Sequence, residues 1–201
     1  MKHIRINDLF RGLLIIYKLR IKQNARLFRK RGVVLGKHSN IQGTVGLEMQ
    51  GGTAVIGDHF TCQSGMMTNP LGVNINSYFR VGPIGKMVIG NNVGLSSTSI
   101  WCNDSITIED NVMIGARCLI CDNDCHSMDP VLRLDSKTDA CNAKSAPIII
   151  KKNAFIGASC VIFKGVTIGE NSIVGIGSVV TKSIPDNQIW AGNPAKFIKN
   201  L

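Results

Sequence analysis

Branched aliphatic residues recur at every sixth position over two stretches of the chain. The first stretch comprises Ile108, Ile114 and Ile120, and the next position in this series is His126. The second stretch comprises Ile150, Ile156, Ile162, Ile168, Val174 and Val180. A period of six is too short for a helical repeat unit and too regular for ordinary strands. The pattern therefore predicts a chain that coils, with short strands stacked around one apolar axis.

The residues between these positions indicate tight corners. In the unit that begins at Ile156, the small Cys160 follows four positions later and is also expected to point inward. Glycine directly follows the branched residue at Gly115, Gly157, Gly169 and Gly175. Asparagine, which tolerates left-handed backbone angles, stands at Asn111, Asn153 and Asn171. Together these features form the hexapeptide signature, which implies three hexapeptides in each coil.

Two segments interrupt the repeat. Residues 63–85 contain the turn cluster 69–72, followed by polar side chains that include Asn76 and Arg80, and we consider this segment a candidate acceptor-binding region. Residues 126–147 form the second interruption, which begins at His126. A loop of this length without structure is uncommon in a compact domain, so this loop is expected to be functional or stabilised by a partner.

The chain of 201 residues is long enough for one solenoid domain with an appended element. We expect a basic amphipathic helical segment over residues 1–34 and a β-helix over residues 35–185, from which residues 126–147 extrude. Residues 186–201 are expected to form a C-terminal tail. The sequence gives no sign of a second domain.

Charge is concentrated at the start of the chain. Residues 1–31 hold ten basic side chains and one acid, Asp8, against a total net charge of +10. We predict a helix from about Asp8 to Arg29, which either covers the open end of the solenoid or docks peripherally on an anionic membrane. The apolar run from Leu13 to Tyr17 is too short to span a bilayer, and no signal-peptide cleavage site follows it. A cytoplasmic location is therefore expected, and no nucleic-acid-binding pattern is present.

The seven cysteines are odd in number and mostly occupy positions that suit small apolar residues. We therefore expect reduced thiols. Cys121, Cys125 and His126 could supply three soft ligands, but their spacing is not that of a structural zinc site. Packing is the favoured interpretation of the two cysteines, and no metal is predicted.

Several motifs give the chain a family resemblance. They are the string from Asp122 to Pro130, Ala146-Pro147-Ile148, Phe155-Ile156-Gly157-Ala158, Gly177 to Pro185, and Gly192-Asn193-Pro194-Ala195-Lys196. With these motifs the chain resembles the hexapeptide-repeat O-acetyltransferases, especially sugar acetyltransferases of bacterial capsule, exopolysaccharide and lipopolysaccharide synthesis. The resemblance implies a left-handed parallel β-helix, a homotrimer with sites between subunits, and acetyl transfer from acetyl-CoA to a sugar hydroxyl.

His126 matches the catalytic histidine of this family. A sugar hydroxyl is a poor nucleophile at neutral pH, so its attack on a thioester needs a base that titrates near pH 7, and histidine has this property. Asp124 or Asp122 could orient the imidazole or could simply hold the turn of the loop.

The resemblance also suggests cofactor and acceptor residues, and it implies that the tail of residues 186–201 contributes to the CoA site. Positions expected to contact CoA are Gly157, Ala158, Gly175, Ile176, Thr181, Lys182, Lys196 and Lys199. Positions considered for the acceptor are Ser97, Asn76, Arg80, Phe155 and Asp129. Phe155 stands where sugar acetyltransferases often place tryptophan, and Ser97 aligns loosely with an acceptor-binding asparagine, so the identity of the acceptor stays open.

The favoured function is acetyl-CoA-dependent O-acetylation of a free, nucleotide-linked or lipid-linked glycan. Acetylation of a serine-like hydroxyl or of an amine would use the same base and donor. A non-catalytic trimeric scaffold is a third alternative. A zinc enzyme of the carbonic anhydrase type is rejected, because it needs three converging histidines and only His126 is well placed.

Overall fold

Short parallel strands make up most of the structure. The computed structural model describes residues 19–65, 68–69, 71 and 75–201. The first sheet contains β1 (Val34–Leu35), β4 (Thr53–Ile56), β7 (Lys86–Ile89), β10 (Ser105–Ile108), β13 (Ile148–Ile150) and β16 (Thr167–Ile168). The second contains β2 (Asn40–Gly43), β5 (Thr61–Ser64), β8 (Gly94–Ser96), β11 (Met113–Ile114), β14 (Phe155–Ile156), β17 (Ile173–Val174), β19 (Gln188–Gly192) and β20 (Ala195–Asn200). The third contains β3 (Val45–Met49), β6 (Ser77–Val81), β9 (Ser99–Cys102), β12 (Leu119–Cys121), β15 (Val161–Ile162) and β18 (Val179–Val180).

The order of the strands shows how the chain coils. From β1 to β18, each strand pairs in parallel with the strand three positions later, so the chain visits the three sheets in turn and completes a coil every three strands. We call the sheets A, B and C in the order in which the chain meets them. The strand register aligns the inward positions of successive coils, because Ile114 pairs with Ile156 and Ile156 pairs with Val174. The predicted coil of three short strands is therefore present.

The apolar axis lies where the sequence places it. The branched residues of the repeat are fully or almost fully buried in one continuous core, and so are the small Cys118 and Cys160. Alternation along each strand explains this, because in β10 Ile106 and Ile108 are buried while Ser105 and Thr107 face outward. Each coil alone could not cover its apolar face, and the neighbouring coils provide that cover.

The corners confirm one prediction and refine another. Asn111, Asn153 and Asn171 have φ values of 60°, 60° and 58°, so they occupy the expected left-handed conformation. The glycines after the branched residues serve a different purpose, namely close approach between coils. A Cβ on Gly157 would lie 2.6 Å from the backbone nitrogen of Ile176, so a side chain at this position would collide with the next coil.

A helix closes the N-terminal end of the coil. In the described part of the chain, helix α1 covers residues 19–30, and the predicted portion from 8 to 18 lies outside the described residues. The Phe28 side chain is fully buried in the core, with its ring 5.6 Å from that of Phe79 in β6. Asn24 donates to the carbonyl oxygens of Ile41 and Gly43, each at 2.9 Å. These contacts show that this part of the segment covers the open end of the solenoid.

The two interruptions have different structures. Contrary to the expectation for residues 63–85, the part from Ser77 to Val81 is a regular strand, because Phe79 and Val81 fill inward positions of the repeat. The second interruption does leave the coil. It contains a 3₁₀ turn, Leu132–Leu134, and the short helix α2, Ser136–Asn142, before the chain returns to β13.

The C-terminal end is a hairpin. Strand β19 pairs in parallel with β17, and β20 folds back antiparallel on β19. The peptide bond between Asn193 and Pro194 in the turn is cis. None of the helices described within residues 19–201 is long and apolar enough to cross a membrane.

Candidate active site

The His126 side chain projects from the loop that leaves the coil after β12. Its exposed fraction is 70%, and its Nδ1 lies 2.6 Å from Oδ2 of Asp139. Asp139 lies in α2, thirteen residues further along the chain, and its side chain is only 14% exposed. The loop thus folds back on itself and places a carboxylate against the imidazole.

This contact fixes which nitrogen of the imidazole is available. An ionised carboxylate only accepts hydrogen bonds, so Nδ1–H of His126 donates to Asp139, and in the neutral imidazole this tautomer has its lone pair on Nε2. Nε2 makes no hydrogen bond with the described residues. The hydrogen bond from His126 holds the pKa of Asp139 below its usual value, and the Ser127 backbone N–H has the same effect. The arrangement therefore orients the imidazole through Nδ1 and leaves Nε2 free of hydrogen bonds to the described residues.

The loop keeps Asp139 in place through its own hydrogen bonds. The Ser127 N–H donates to Oδ1 of Asp139 at 2.7 Å, and Arg133 donates to the Ser127 carbonyl oxygen at 2.8 Å. Asp135 caps α2 by accepting hydrogen bonds from the backbone N–H groups of Lys137 and Thr138. The helix is short, so these contacts, rather than its length, stabilise it.

Asp124 and Asp122 make no hydrogen bond with the His126 imidazole, so the expected orienting role of Asp124 is corrected in favour of the other alternative, in which they hold the turn of the loop. Asp124 lies 3.3 Å from the ammonium group of Lys164 on the next coil. Asp122 is fully buried and accepts hydrogen bonds from the backbone N–H groups of Asn103 and Asp104, at 2.7 and 2.8 Å. Both carboxylates anchor the start of the loop, because neighbouring coils supply donors close to them. The sequence contained a signal for Asp139 only in its position within the extruded loop.

The thiols near His126 do not form a metal centre with it. The Sγ atoms of Cys121 and Cys125 lie 4.0 Å apart, while the His126 imidazole is hydrogen-bonded to Asp139. Among the described residues, no group of three histidine, cysteine or acidic side chains is arranged to hold a metal ion. Burial raises the pKa of Cys121 to about 12. Cys62, in the core, has its pKa raised to about 12 by burial as well.

A second feature lies at the C-terminal end of the coil. A cleft of about 230 Å³ is lined by Thr181, Lys182, Trp190, Pro194, Ala195, Lys196 and Phe197. The structure thus brings together Thr181, Lys182 and Lys196, three of the residues expected at the CoA site. It adds the two aromatic side chains of the hairpin, which the sequence analysis did not single out.

The cleft and His126 belong to the same edge of sheet C. Strands β12, β15 and β18 are parallel neighbours, so their carboxyl ends align. The His126 loop continues from β12, and the Thr181-Lys182 pair continues from β18, two strands away. Two strand spacings correspond to about 10 Å.

The other expected CoA residues lie elsewhere. Gly157-Ala158 and Gly175-Ile176 stack at the corner between sheets B and C, where the Gly177 N–H donates to the Ala158 carbonyl oxygen at 2.8 Å. Ile176 is 75% exposed there. Lys199 is exposed on β20 and does not line the cleft. One chain therefore does not gather the whole expected set into one cleft.

The acceptor candidates also separate. Ser97 is buried, and its hydroxyl accepts a hydrogen bond from the Gly65 N–H, so it cannot contact an acceptor in this structure. Phe155 is 47% exposed on the outer face of sheet B, and Asn76 is exposed as well. Asp129 accepts from the Val131 N–H within the His126 loop. Arg80 lies on the outer face of sheet C.

Sequence comparison connects this fold with a known repeat. A model of the hexapeptide repeat of succinyl-transferase matches residues 105–121 and 147–182. The unmatched residues between these ranges form the extruded loop. These two ranges of the chain therefore carry the hexapeptide repeat. The predicted resemblance to hexapeptide-repeat acetyltransferases is confirmed by this match together with the relatives described next.

Curated relatives of this chain include the galactoside O-acetyltransferase of Escherichia coli, strain K12. The two are 39% identical over 97 residues, which is 48% of this chain and 45% of the relative. The chain thus spans less than half the length of this relative.

Solved structures with the same fold include AntD, an N-acyltransferase from Bacillus cereus, of which a point mutant was determined in complex with dTDP and coenzyme A. It has a TM-score of 0.67 and 24% identity, covering 87% of this chain and 88% of that one. The acetyltransferase VCA0836 from Vibrio cholerae, in complex with acetyl coenzyme A, has a TM-score of 0.56 and 23% identity, covering 90% and 77%.

Proposed function

We propose that this protein is an acetyl-CoA-dependent O-acetyltransferase that modifies a sugar hydroxyl in bacterial surface polysaccharide synthesis. The observation that carries the proposal is the His126–Asp139 pair, which presents an exposed Nε2 on a loop beside the coil. The galactoside O-acetyltransferase relative and the neighbours with bound CoA support the choice of donor.

The reaction follows from the orientation of the imidazole. The acceptor hydroxyl approaches His126 Nε2, which removes its proton as the oxygen attacks the thioester carbonyl carbon. Asp139 accepts from Nδ1–H and stabilises the imidazolium that forms. The C–S bond then breaks, and the proton passes from Nε2 to the sulfur of CoA. Acetylated sugar and free CoA leave.

The cleft at the C-terminal end is the proposed location of the CoA phosphates. Lys182 and Lys196 are exposed cations that line it, and the rings of Trp190 and Phe197 offer apolar surface for the adenine. The acetyl end must then extend along the coil toward His126. Donor binding itself is thus expected to depend on the hairpin rather than on the loop.

A homotrimer is part of the proposal. His126 follows a strand of sheet C, whereas Gly157-Ala158 and Gly175-Ile176 follow strands of sheet B, so these residues occupy different edges of the three-sided coil. A site that uses both edges therefore needs a neighbouring subunit. The resemblance further implies that the coil is left-handed.

An amine acceptor is the main enzymatic alternative. AntD, which has the same fold, is an N-acyltransferase that was crystallised with dTDP. His126 could equally remove a proton from an amine during attack. A scaffold without catalysis is the third alternative, but it gives no reason for the His126–Asp139 pair.

Location and membrane contact are proposed from the chemistry of the site and of α1. Acetyl-CoA is a cytoplasmic metabolite, so we place the reaction there. Phe28 faces the core, while Arg20, Lys22, Arg26, Arg29, Lys30 and Arg31 are exposed. Such a basic surface suits peripheral contact with an anionic membrane that carries a lipid-linked acceptor.

Two measurements test these proposals. Calorimetry measures the binding of acetyl-CoA and of free CoA, and an assay of CoA release measures turnover with neutral sugars and with amino sugars as acceptors. We expect His126→Ala to bind CoA normally but to lower turnover by about 10²–10⁴-fold. The double variant Thr181→Ala, Lys182→Ala should weaken binding of both ligands. Turnover only with amino sugars would favour N-acylation, and no binding of either ligand would favour the scaffold.

A further inference from the structure

The outer face of sheet C carries a row of polar and aromatic side chains beside the His126 loop. The register aligns Glu48 with Arg80, Arg80 with Trp101, and Trp101 with Cys121, so these four residues form one outward row across β3, β6, β9 and β12. Tyr78 faces outward two residues before Arg80, with 43% exposure. We call Tyr78, Arg80 and Trp101, with the carboxylate of Glu48, the sheet C platform.

The guanidinium group of Arg80 is held in a fixed position. Its Cζ lies 4.4 Å from the centroid of the Trp101 ring, and its Nε lies 3.5 Å from Oε2 of Glu48. Glu48 is in turn fixed, because it accepts from the Tyr78 hydroxyl at 3.0 Å and from the Gln50 side chain. The Arg80 Nε is buried without a hydrogen-bond partner, and the terminal nitrogens make no hydrogen bond with the described residues, so the guanidinium group retains unused donors.

Hydrogen bonds connect this platform with the His126 loop. The indole N–H of Trp101 donates to the Asn103 side chain at 3.1 Å, and the Asn103 backbone N–H donates to Asp122. Asp122 also accepts from the Asn123 side chain, whose oxygen accepts from the Cys125 N–H. His126 follows directly. Platform and base are therefore anchored to the same buried carboxylate.

The chemistry of the platform suits a neutral saccharide. Arg80 and Glu48 together have no net charge, and they offer donors and acceptors side by side, as neighbouring hydroxyl groups require. An anionic ligand would be attracted by the Arg80 guanidinium but repelled by the adjacent Glu48 carboxylate. The exposed ring of Tyr78 adds apolar surface for the C–H face of a sugar.

The position of the platform bears on the length of the acceptor. Arg80 lies two strands from Cys121, where the chain enters the His126 loop, which corresponds to about 10 Å. An acceptor of two or more sugar rings is long enough to place one ring at Arg80 and another at the His126 loop. We propose that the sheet C platform is a distal subsite for a neutral sugar residue of an oligosaccharide acceptor, which rests on the proposed acetyltransferase function.

Fluorescence can test this subsite separately from the donor cleft. The chain has two tryptophans, so Trp190→Phe leaves Trp101 as the reporter of the platform, and Trp101→Phe leaves Trp190 as the reporter of the cleft. The probes are neutral tri- and tetrasaccharides of glucose, galactose, mannose and N-acetylglucosamine, the matching monosaccharides, glucuronate, and CoA. We expect at least one neutral oligosaccharide to change Trp101 emission, and CoA to change Trp190 emission.

Variants of Arg80 identify the binding groups. In the Trp190→Phe background, Arg80→Ala should weaken oligosaccharide binding by about 10- to 100-fold, because a hydrogen bond to a charged group is lost. Arg80→Lys should recover only part of this, since lysine lacks the planar fork. Arg26→Ala, on the exposed face of α1, is the matched control and should bind as the parent does.

Two outcomes would overturn the proposal. One is the absence of any oligosaccharide response from Trp101. The other is equal or stronger binding of glucuronate or of monosaccharides, which would indicate an anionic or a single-sugar site. A Trp190 response to CoA without a Trp101 response would reject the subsite while leaving the acetyltransferase proposal intact. A Trp101 response to an oligosaccharide without a Trp190 response to CoA would support the subsite and reject the CoA cleft.

Discussion

His126 depends on a carboxylate that is distant in sequence and adjacent in space. Asp139 approaches from α2, a helix that exists only because the extruded loop closes on itself through Ser127 and Arg133. A histidine on a mobile loop would lose rotational freedom on binding substrate, and the fixed hydrogen bond removes part of that cost. The pair is therefore the residue-scale feature on which the proposed chemistry rests.

Substitution of the orienting carboxylate tests this pair. Asp139→Asn is expected to lower kcat by at least tenfold, with the roughly 10⁴-fold loss of a buried catalytic triad aspartate as the upper bound. The amide keeps the shape but can stabilise neither the imidazolium nor the Nδ1–H tautomer. Steady-state CoA release provides the measurement, and Asp124→Asn, which breaks the contact with Lys164, is the control. A larger effect from Asp124→Asn would restore the orienting role to that residue.

The pH dependence of the same contact has a defined sign. Hydrogen bonds from His126 and Ser127 lower the pKa of Asp139 below its usual 3.8 in the folded state. Such a carboxylate contributes stability above its usual pKa, and this contribution is lost as the pH falls through the lowered value. We expect the His126 Nδ1–H signal in NMR spectra to persist from pH 8 down to about pH 4. Its disappearance near pH 5 would contradict the lowered pKa.

At the scale of secondary-structure elements, α1 caps the N-terminal end of the coil. Solenoids need terminal caps because the last coil would otherwise expose its apolar interior. The Phe28 ring fills this role, and its edge-to-face contact with Phe79 joins the helix to the second coil.

Removal of the Phe28 ring should therefore destabilise the protein. We expect Phe28→Ala to lower the free energy of unfolding by about 3–5 kcal/mol, since a fully buried aromatic ring is lost. Leu19→Ala, at an exposed position of the same helix, should change it by less than about 0.5 kcal/mol. Denaturant titration of both variants gives the comparison. Equal effects would show that the helix does not act as a cap.

The outer face of α1 allows an independent test of membrane contact. Lys22→Glu, Arg26→Glu, Lys30→Glu reverses three exposed charges without touching Phe28. Because each cation near an anionic surface contributes about 1 kcal/mol, this variant should lose binding to vesicles that contain phosphatidylserine. Vesicle cosedimentation measures this, with uncharged phosphatidylcholine vesicles as the control. Unchanged binding would remove α1 from the proposed membrane contact.

For the whole molecule, the three-sided coil divides the expected site residues between edges. His126 and the cleft of Lys182 and Lys196 belong to the edge after sheet C, and the stacked Gly157 and Gly175 belong to the edge after sheet B. Assembly of neighbouring subunits is the simplest way to bring the edge after sheet C of one chain beside the edge after sheet B of another.

The predicted assembly has a measurable mass. Light scattering coupled to gel filtration should give about three times the 21.8 kDa of one chain. Mixed trimers of His126→Ala chains and Ile176→Glu chains should recover part of the activity that each variant lacks, because neighbouring subunits can then supply one intact edge after sheet C and one intact edge after sheet B. A monomer with full activity would contradict the proposed arrangement.

The sequence by itself determined the coil. The six-residue spacing of Ile150, Ile156 and Ile162 is local information, because each short strand repeats the inward position of the previous one. The left-handed corners at Asn111 and Asn153 are equally local, since they depend on the backbone preference of one residue. The candidacy of His126 followed in the same way, from its place at the next position of an interrupted series.

Only the tertiary structure decided which groups surround these residues. The choice between Asp124 and Asp139 depends on how a loop of more than twenty residues folds back, and no periodic pattern constrains that path. Ser97 was an acceptor candidate in the sequence but is buried, and its hydroxyl accepts a hydrogen bond from the Gly65 N–H. The row of Arg80 and Trp101 arises from register between strands of successive coils. Contacts between residues far apart in sequence carry no local signal, so spacing predicted the repeat, whereas packing fixed the site.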